Sequence, residues 1–222
     1  MRTPADIADA TADAFEIDAT TPETVETATF GAGCFWGVEA RFGALDGVIR
    51  TRVGYAGGEH ADPTYDDLGD HTEVVQVDYD PARMDYGDAL ETFWAIHDPT
   101  TARKRQYRSL ILAHDEAQRE RARAHVDGIA RQADVEVETD VEPYETLSLA
   151  EDYHQKYHLR SDSELLARFQ HEYTPEQLVN STAAARINAV AGGYGSQRTA
   201  ETITEPFDDP PAPAADEEWP PQ

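Results

Sequence analysis

The chain has 222 residues, 40% of them hydrophobic, with 44 acidic against 18 basic residues and a formal net charge of −26. Such a charge argues against nucleic-acid binding, which rests on cationic contacts to phosphate, and no run approaches the ~18 apolar residues of a membrane span. One cysteine leaves no partner for an internal disulfide. The acids are spread along the chain, which points to a halophile protein whose self-repulsion is screened over about 3 Å at 1 M salt. The N-terminus has no apolar stretch of the secretory type, so a cytoplasmic protein is expected. Residues 1–24, rich in Ala, Asp and Thr, read as an acidic, mobile extension. Residues 25–199 read as one mixed domain. Residues 200–222, rich in Pro and acid, cannot bury a core and read as disordered.

Within the domain the pattern predicts a strand over Val25–Phe30 and a helix over Cys34–Leu45, with Phe35, Val38, Phe42 and Leu45 on one face. A second strand runs from Val48 to Tyr55, followed by a loop marked by Gly57, Gly58 and Pro63. Residues 72–80 alternate, placing Glu73, Val75, Val77 and Tyr79 on one strand face. Asp85 caps a helix to about His97. A strand over Arg108–Ala113, a charged helix over Asp115–Ala133 and an edge strand over Val135–Val141 follow. Short helices are expected near 150–158 and 162–170. Thr174-Pro175-Glu176-Gln177 is a capping box that opens a helix to about Ala191. Strands and helices interleave, so the class is α+β.

Cys34 lies in Gly31-Ala-Gly-Cys34-Phe35-Trp36-Gly37, at a strand-to-helix passage. A thiol at a helix start can have its thiolate stabilised by the helix dipole, which suits a nucleophile; free cysteine is equally at home buried in a core. Glu73 is either a carboxyl on the buried strand face, raised in pKa and able to donate a proton, or a solvated residue just outside the sheet. Tyr65 and Tyr107 flank loops and can donate hydrogen bonds without charge, or simply pack. Phe35 and Trp36 can line an apolar pocket beside the sulfur, or fill the core. His60, His71, His97, His154 and His158 lack metal-ligand spacing, so no metal is expected. The clusters His97-Asp98-Pro99 and Glu151-Asp152-Tyr153-His154 read as buried polar networks or as caps. Two further readings of Cys34 stand beside these. One is acyl transfer with His97 or His154 as base; the other is a redox-sensing module that oxidises without turnover.

Gly33-Cys34-Phe35-Trp36-Gly37-Val38-Glu39 resembles the signature of the A-type peptide methionine sulfoxide reductases. The resemblance continues in order through Val53–Gly58, Pro63–Tyr65, His71–Val75, Phe93-Trp94, His97–Thr100, Gln106–Ser109 and Ala150–His154. It implies an α+β two-layer sandwich around a mixed sheet with a ferredoxin-like core. It also implies reduction of the S epimer of methionine sulfoxide, protein-bound or free, by a monomer without cofactor. On the matching positions, Cys34 is the nucleophile that becomes a sulfenic acid, and Glu73 acts as the acid on the sulfoxide oxygen. Tyr65 and Tyr107 share that oxygen, and Phe35 and Trp36 hold the methyl group. Two features depart from the pattern. The C-terminal region Gly192–Gln197 lacks the cysteines that many members use to resolve the sulfenic acid, so a thioredoxin-like protein or a small-molecule thiol is expected to do so. The loops before Glu73 and Tyr107 are short, and the second lacks a family aspartate.

Overall fold

Strand β1 (Glu26–Ala32) buries its last five residues because it runs through the middle of a sheet. A computed structural model describes residues 15–19 and 21–195 of the chain. β1 pairs antiparallel on one side with β3 (Thr72–Tyr79) and on the other with β4 (Ser109–Ala113). β2 (Val48–Ala56) pairs antiparallel with β3. The order β4-β1-β3-β2 is the four-stranded ferredoxin-like core. Helix α1 (Phe35–Gly43) connects β1 to β2, and helix α2 (Tyr86–Ala95) lies between β3 and β4. β5 (Thr139–Pro143) adds a parallel edge next to β4, and β6 (Ser148–Leu149) an antiparallel one next to β2. The mixed six-stranded sheet and its helices are the α+β arrangement expected.

Every residue of β3 is buried, so both of its faces are covered. One face joins Val75, Val77 and Tyr79 to Phe30, Phe42 and Val38, and to Leu90 and Phe93 of α2. The other carries Val74 with Ala56, Leu110 and Leu112. Asp78, on that second face, accepts hydrogen bonds from Thr27, Arg50 and Arg52, which is how a buried carboxylate is tolerated.

The predicted elements are found with shifted ends, and three differ in kind. The edge strand forms at Thr139–Pro143 rather than 135–141. Its place is set by Ser109 Oγ on Thr139 Oγ1 at 2.7 Å and by Arg108 reaching Asp140 and Glu142, both 2.6 Å away. The helix expected near 150–158 is a 3-10 turn, Asp152–His154, followed by the short helix α4 (Tyr157–Arg160). Before it, α3 (Glu116–Ala133) packs Ala122 into the main core. After α5 (Ser163–Glu172), the single helix expected from Thr174 to Ala191 divides into α6 (Pro175–Asn180) and α7 (Thr182–Ala191). Ser181 takes an extended conformation there, with φ −77° and ψ 132°, and caps α7 by accepting from the Ala184 N–H at 2.8 Å. Asp18 completes that cap, accepting from the Ser181 hydroxyl and from the Thr182 N–H at 2.7 Å.

Asp18 belongs to the stretch expected to be a mobile extension. Phe15–Ala19 is instead a 3-10 turn, and Ile17 is buried with Leu159, Phe169 and Leu178 in a second core beside the helices α4 to α7. The remainder of the expected arm, 1–14 and 20, and the whole tail 200–222 lie outside the described residues.

A buried ion pair joins the two cores. Lys156 is fully enclosed; its ammonium donates to Glu39 of α1 at 2.8 Å and to the Val179 carbonyl at 3.1 Å, and its own N–H reaches the same carboxylate at 2.9 Å. Burial pulls the Lys156 pKa down, and the Glu39 charge works against that pull. Removing one partner strands the other without water. Lys156→Met is therefore expected to destabilise the fold by about 3–5 kcal/mol. Urea unfolding reads this, and a loss below about 1 kcal/mol would show that the pair is not what holds α1 in place.

Candidate active site

β1 delivers the cysteine by a close approach between two neighbouring strands. A Cβ at Gly31 would lie 3.0 Å from Thr72 and 3.2 Å from the carbonyls of Glu73 and Arg108, so any side chain there would press on both neighbouring strands. Gly33 then turns the chain with φ +97°, a conformation that side chains disfavour. Cys34 follows as the N-cap residue of α1 and is exposed.

Its position does not give the depressed thiol pKa expected from the helix dipole. Groups packed around the sulfur desolvate it and push the thiol up, although part of the residue meets solvent. The Trp36 N–H opposes this, and the negative charge of Glu73 adds to it. Burial is thus the main influence on the thiol, and the Glu73 charge a lesser one in the same direction.

Glu73 is 1% exposed, at the inner end of the buried face of β3. This settles the choice between a buried and a solvated carboxyl. One oxygen accepts the Phe35 N–H at 3.2 Å, directly after the cysteine; the other accepts the Gln106 amide at 2.9 Å. Burial raises its pKa against the lowering effect of those two donors. The site therefore holds a carboxyl biased toward its neutral, proton-donating form.

Tyr107 ends a 3-10 turn, Arg105–Tyr107, leading into β4. Its phenol pKa is pushed up to about 12, chiefly by burial and then by the charges of Glu73, Tyr65 and Cys34. Tyr65 is close enough for its phenol to act on that of Tyr107. Cys34, Glu73, Tyr65 and Tyr107, separated by up to 73 positions in sequence, thus meet at one place.

Two supports hold the rim, and both centre on the Glu151–His154 cluster. The Glu151 carboxylate accepts the Tyr65 N–H at 3.0 Å and the Tyr55 hydroxyl at 2.8 Å. Burial would raise Glu151, but these donors outweigh it and keep the carboxylate ionised. His154, 2% exposed, accepts the Trp36 indole N–H on Nδ1 at 3.1 Å, which places its proton on Nε2. Its ring lies 5.1 Å from Phe35 and 4.8 Å from Tyr65. Trp36 is further fixed by stacking on Tyr157 at 3.7 Å. Of the two rings expected to line a pocket, Phe35 is 1% exposed and Trp36 half-buried, so Trp36 presents more surface beside the sulfur.

The histidines offered as bases for acyl transfer are engaged elsewhere. His154 Nδ1 is held by Trp36. His97 bonds the Phe93 carbonyl at 2.8 Å and the Ser109 hydroxyl at 2.7 Å. Among the described residues no three His, Cys, Asp or Glu side chains group as a metal site. Gln106, Tyr55 and Tyr157 were not foreseen as site residues. Gln106 could have been, since it precedes Tyr107 within the motif Gln106–Ser109.

Residues 26–186 match the family model for peptide methionine sulfoxide reductase. This chain belongs to that family. It is 44% identical over 175 residues to the peptide methionine sulfoxide reductase of Drosophila melanogaster, a match covering 78% of this chain and 70% of the relative. The MsrA of Halobacterium salinarum, an organism of the kind the acidic surface suggested, is 47% identical over 144 residues, covering 60% and 81%. Among solved structures, reduced Mxr1 from Saccharomyces cerevisiae superposes with a TM-score of 0.59 at 29% identity, over 64% of this chain and 88% of Mxr1. The methionine sulfoxide reductase described here carries its sole cysteine at the helix start, and methionine sulfoxide is its substrate.

Proposed function

We propose that this reductase converts methionine-S-sulfoxide, free or within proteins, to methionine through a Cys34 sulfenic acid, with 25–199 as the catalytic domain. What supports the mechanism is the convergence of the Cys34 thiol with the phenols of Tyr65 and Tyr107 and with the Glu73 carboxyl, whose pKa burial raises. The sulfoxide oxygen is received by the two phenols and by the Glu73 carboxyl, which stabilise charge as it builds there. Glu73 gives its proton to that oxygen as the Cys34 sulfur attacks the sulfoxide sulfur, and the thiol proton passes to the Glu73 carboxylate and restores the acid. The hydroxyl then moves to the Cys34 sulfur as its bonds to the substrate sulfur, S–O and S–S, break. The thiol and sulfoxide thus become a sulfenic acid and a thioether with all atoms conserved. Trp36, with Phe35 behind it, holds the methyl group.

Regeneration requires two external thiols, from a thioredoxin-like protein or a small molecule. The first forms a mixed disulfide with Cys34 and releases water; the second displaces Cys34 as a thiol.

The arrangement makes the choice of epimer a matter of geometry. Exchanging methyl and oxygen places an apolar group on three donors and a polar one on an indole. With dithiothreitol as reductant, the S epimer is expected to turn over and the R epimer to react at least about a hundredfold more slowly, since burying unmatched polar groups costs several kcal/mol. Equal rates on the two epimers would contradict the assigned pocket.

A further inference from the structure

The turn that brings Tyr107 to the site starts with three consecutive cations, Arg103-Lys104-Arg105, in a chain where acids outnumber bases 44 to 18. Arg105 has a structural task. Its guanidinium donates to the carbonyls of Asp70 and Gly57, each at 2.7 Å, and so anchors the turn. Arg103 and Lys104 are exposed, and among the described residues neither forms an ion pair, despite the surplus of acids.

Arg103 also lies at the mouth of the site. A Cβ at Gly33, the residue before the nucleophile, would sit 3.4 Å from its guanidinium. Its charge also acts on the nearby Asp98 carboxylate, which accepts from the Thr100 and Thr101 hydroxyls at 2.7 and 2.8 Å. Tyr65 and the exposed Tyr153 flank the His154 ring, with Asp66 close to Tyr153.

We propose that Arg103, assisted by Lys104, is a specificity-determining residue that receives a carboxylate of the substrate, either the α-carboxylate of methionine sulfoxide or the side chain of an adjacent acidic residue in a polypeptide. This rests on the function proposed above and adds the substrate class. The pair is solvent-exposed, so its effect is a modest preference that salt weakens.

The test uses the full chain, dithiothreitol as an uncharged reductant and three S-sulfoxide substrates. These are N-acetyl-methionine sulfoxide amide, the same compound with a free carboxylate, and a capped peptide with aspartate next to the sulfoxide. At low salt the wild type is expected to show a three- to tenfold higher kcat/KM on one or both anionic substrates than on the amide, carried by KM. Which anionic substrate gains identifies the source of the carboxylate. In R103Q the ratio falls toward one, and in R103K, which retains the charge, it returns. A wild-type ratio of one, or a ratio unchanged in R103Q, overturns the inference while leaving the reductase reading intact. Absence of turnover on all three substrates by the wild type would overturn both.

Discussion

Cys34→Ser is expected to abolish sulfoxide reduction, by at least about 10⁴-fold in kcat/KM, and to leave the fold unchanged. A serine oxygen is a poor nucleophile near neutrality, and accepting the sulfoxide oxygen would require an O–O bond in place of the S–O bond of a sulfenic acid. Serine is a favoured N-cap residue and can accept from the first turn of α1, so stability should hold or rise slightly. Thermal unfolding checks that point beside the rate. Residual turnover above about 1% of wild type in a folded C34S protein would mean that the oxygen is removed by some other group.

Glu73→Gln is the second large effect. The amide retains the size of the carboxyl but cannot give a proton, and loss of one such donor lowers kcat by about 10²–10³. Folding should survive. A glutamine oxygen can accept the Phe35 N–H, and Gln106 can turn its own amide to meet the new NH₂ group. The pH dependence follows from the direction of the shift. Because burial raises the Glu73 pKa, the competent acid is present below the folded value and is lost as pH rises through it. Wild-type kcat therefore declines on the alkaline side, and Glu73→Gln removes that decline. Stability carries the same sign. A raised carboxyl pKa means that the folded chain binds the proton more tightly than the unfolded one, so the contribution of Glu73 to stability falls as pH rises above the unfolded value. A variant that retains the alkaline limb would place the titrating acid elsewhere.

The local rules read best where the reason for a structure is itself local. The Asp85 and Thr174 caps and the strand read from the alternation over 72–80 depend on neighbours in sequence, and all of them are found. The break at Ser181 was not legible because its cause, Asp18, lies 163 positions away. β5 took its place from side chains on β4, a pairing that no periodicity encodes. The Cys34 thiol was misjudged for a related reason. The helix end was visible in the sequence, but the desolvation and the Glu73 carboxylate that oppose it come from packing. Glu73 shows the converse. Alternation placed it on the inner face, but only the donors Phe35 and Gln106 show why a buried carboxyl is tolerated there. The four central side chains themselves were nameable through the resemblance. Their supports, Tyr55, Gln106 and Tyr157, act through contacts across the fold.

In the proposed mechanism the site stabilises a sulfoxide oxygen that gains charge while the Cys34 sulfur attacks the sulfoxide sulfur. The most direct test of that account is mass spectrometry of the protein after reaction with one equivalent of methionine-S-sulfoxide in the absence of any reductant. One oxygen on Cys34, trapped by a sulfenic-acid reagent, and one methionine released per chain is the expected result. Release of methionine with Cys34 unmodified, or an unreacted substrate beside a folded protein, would contradict it.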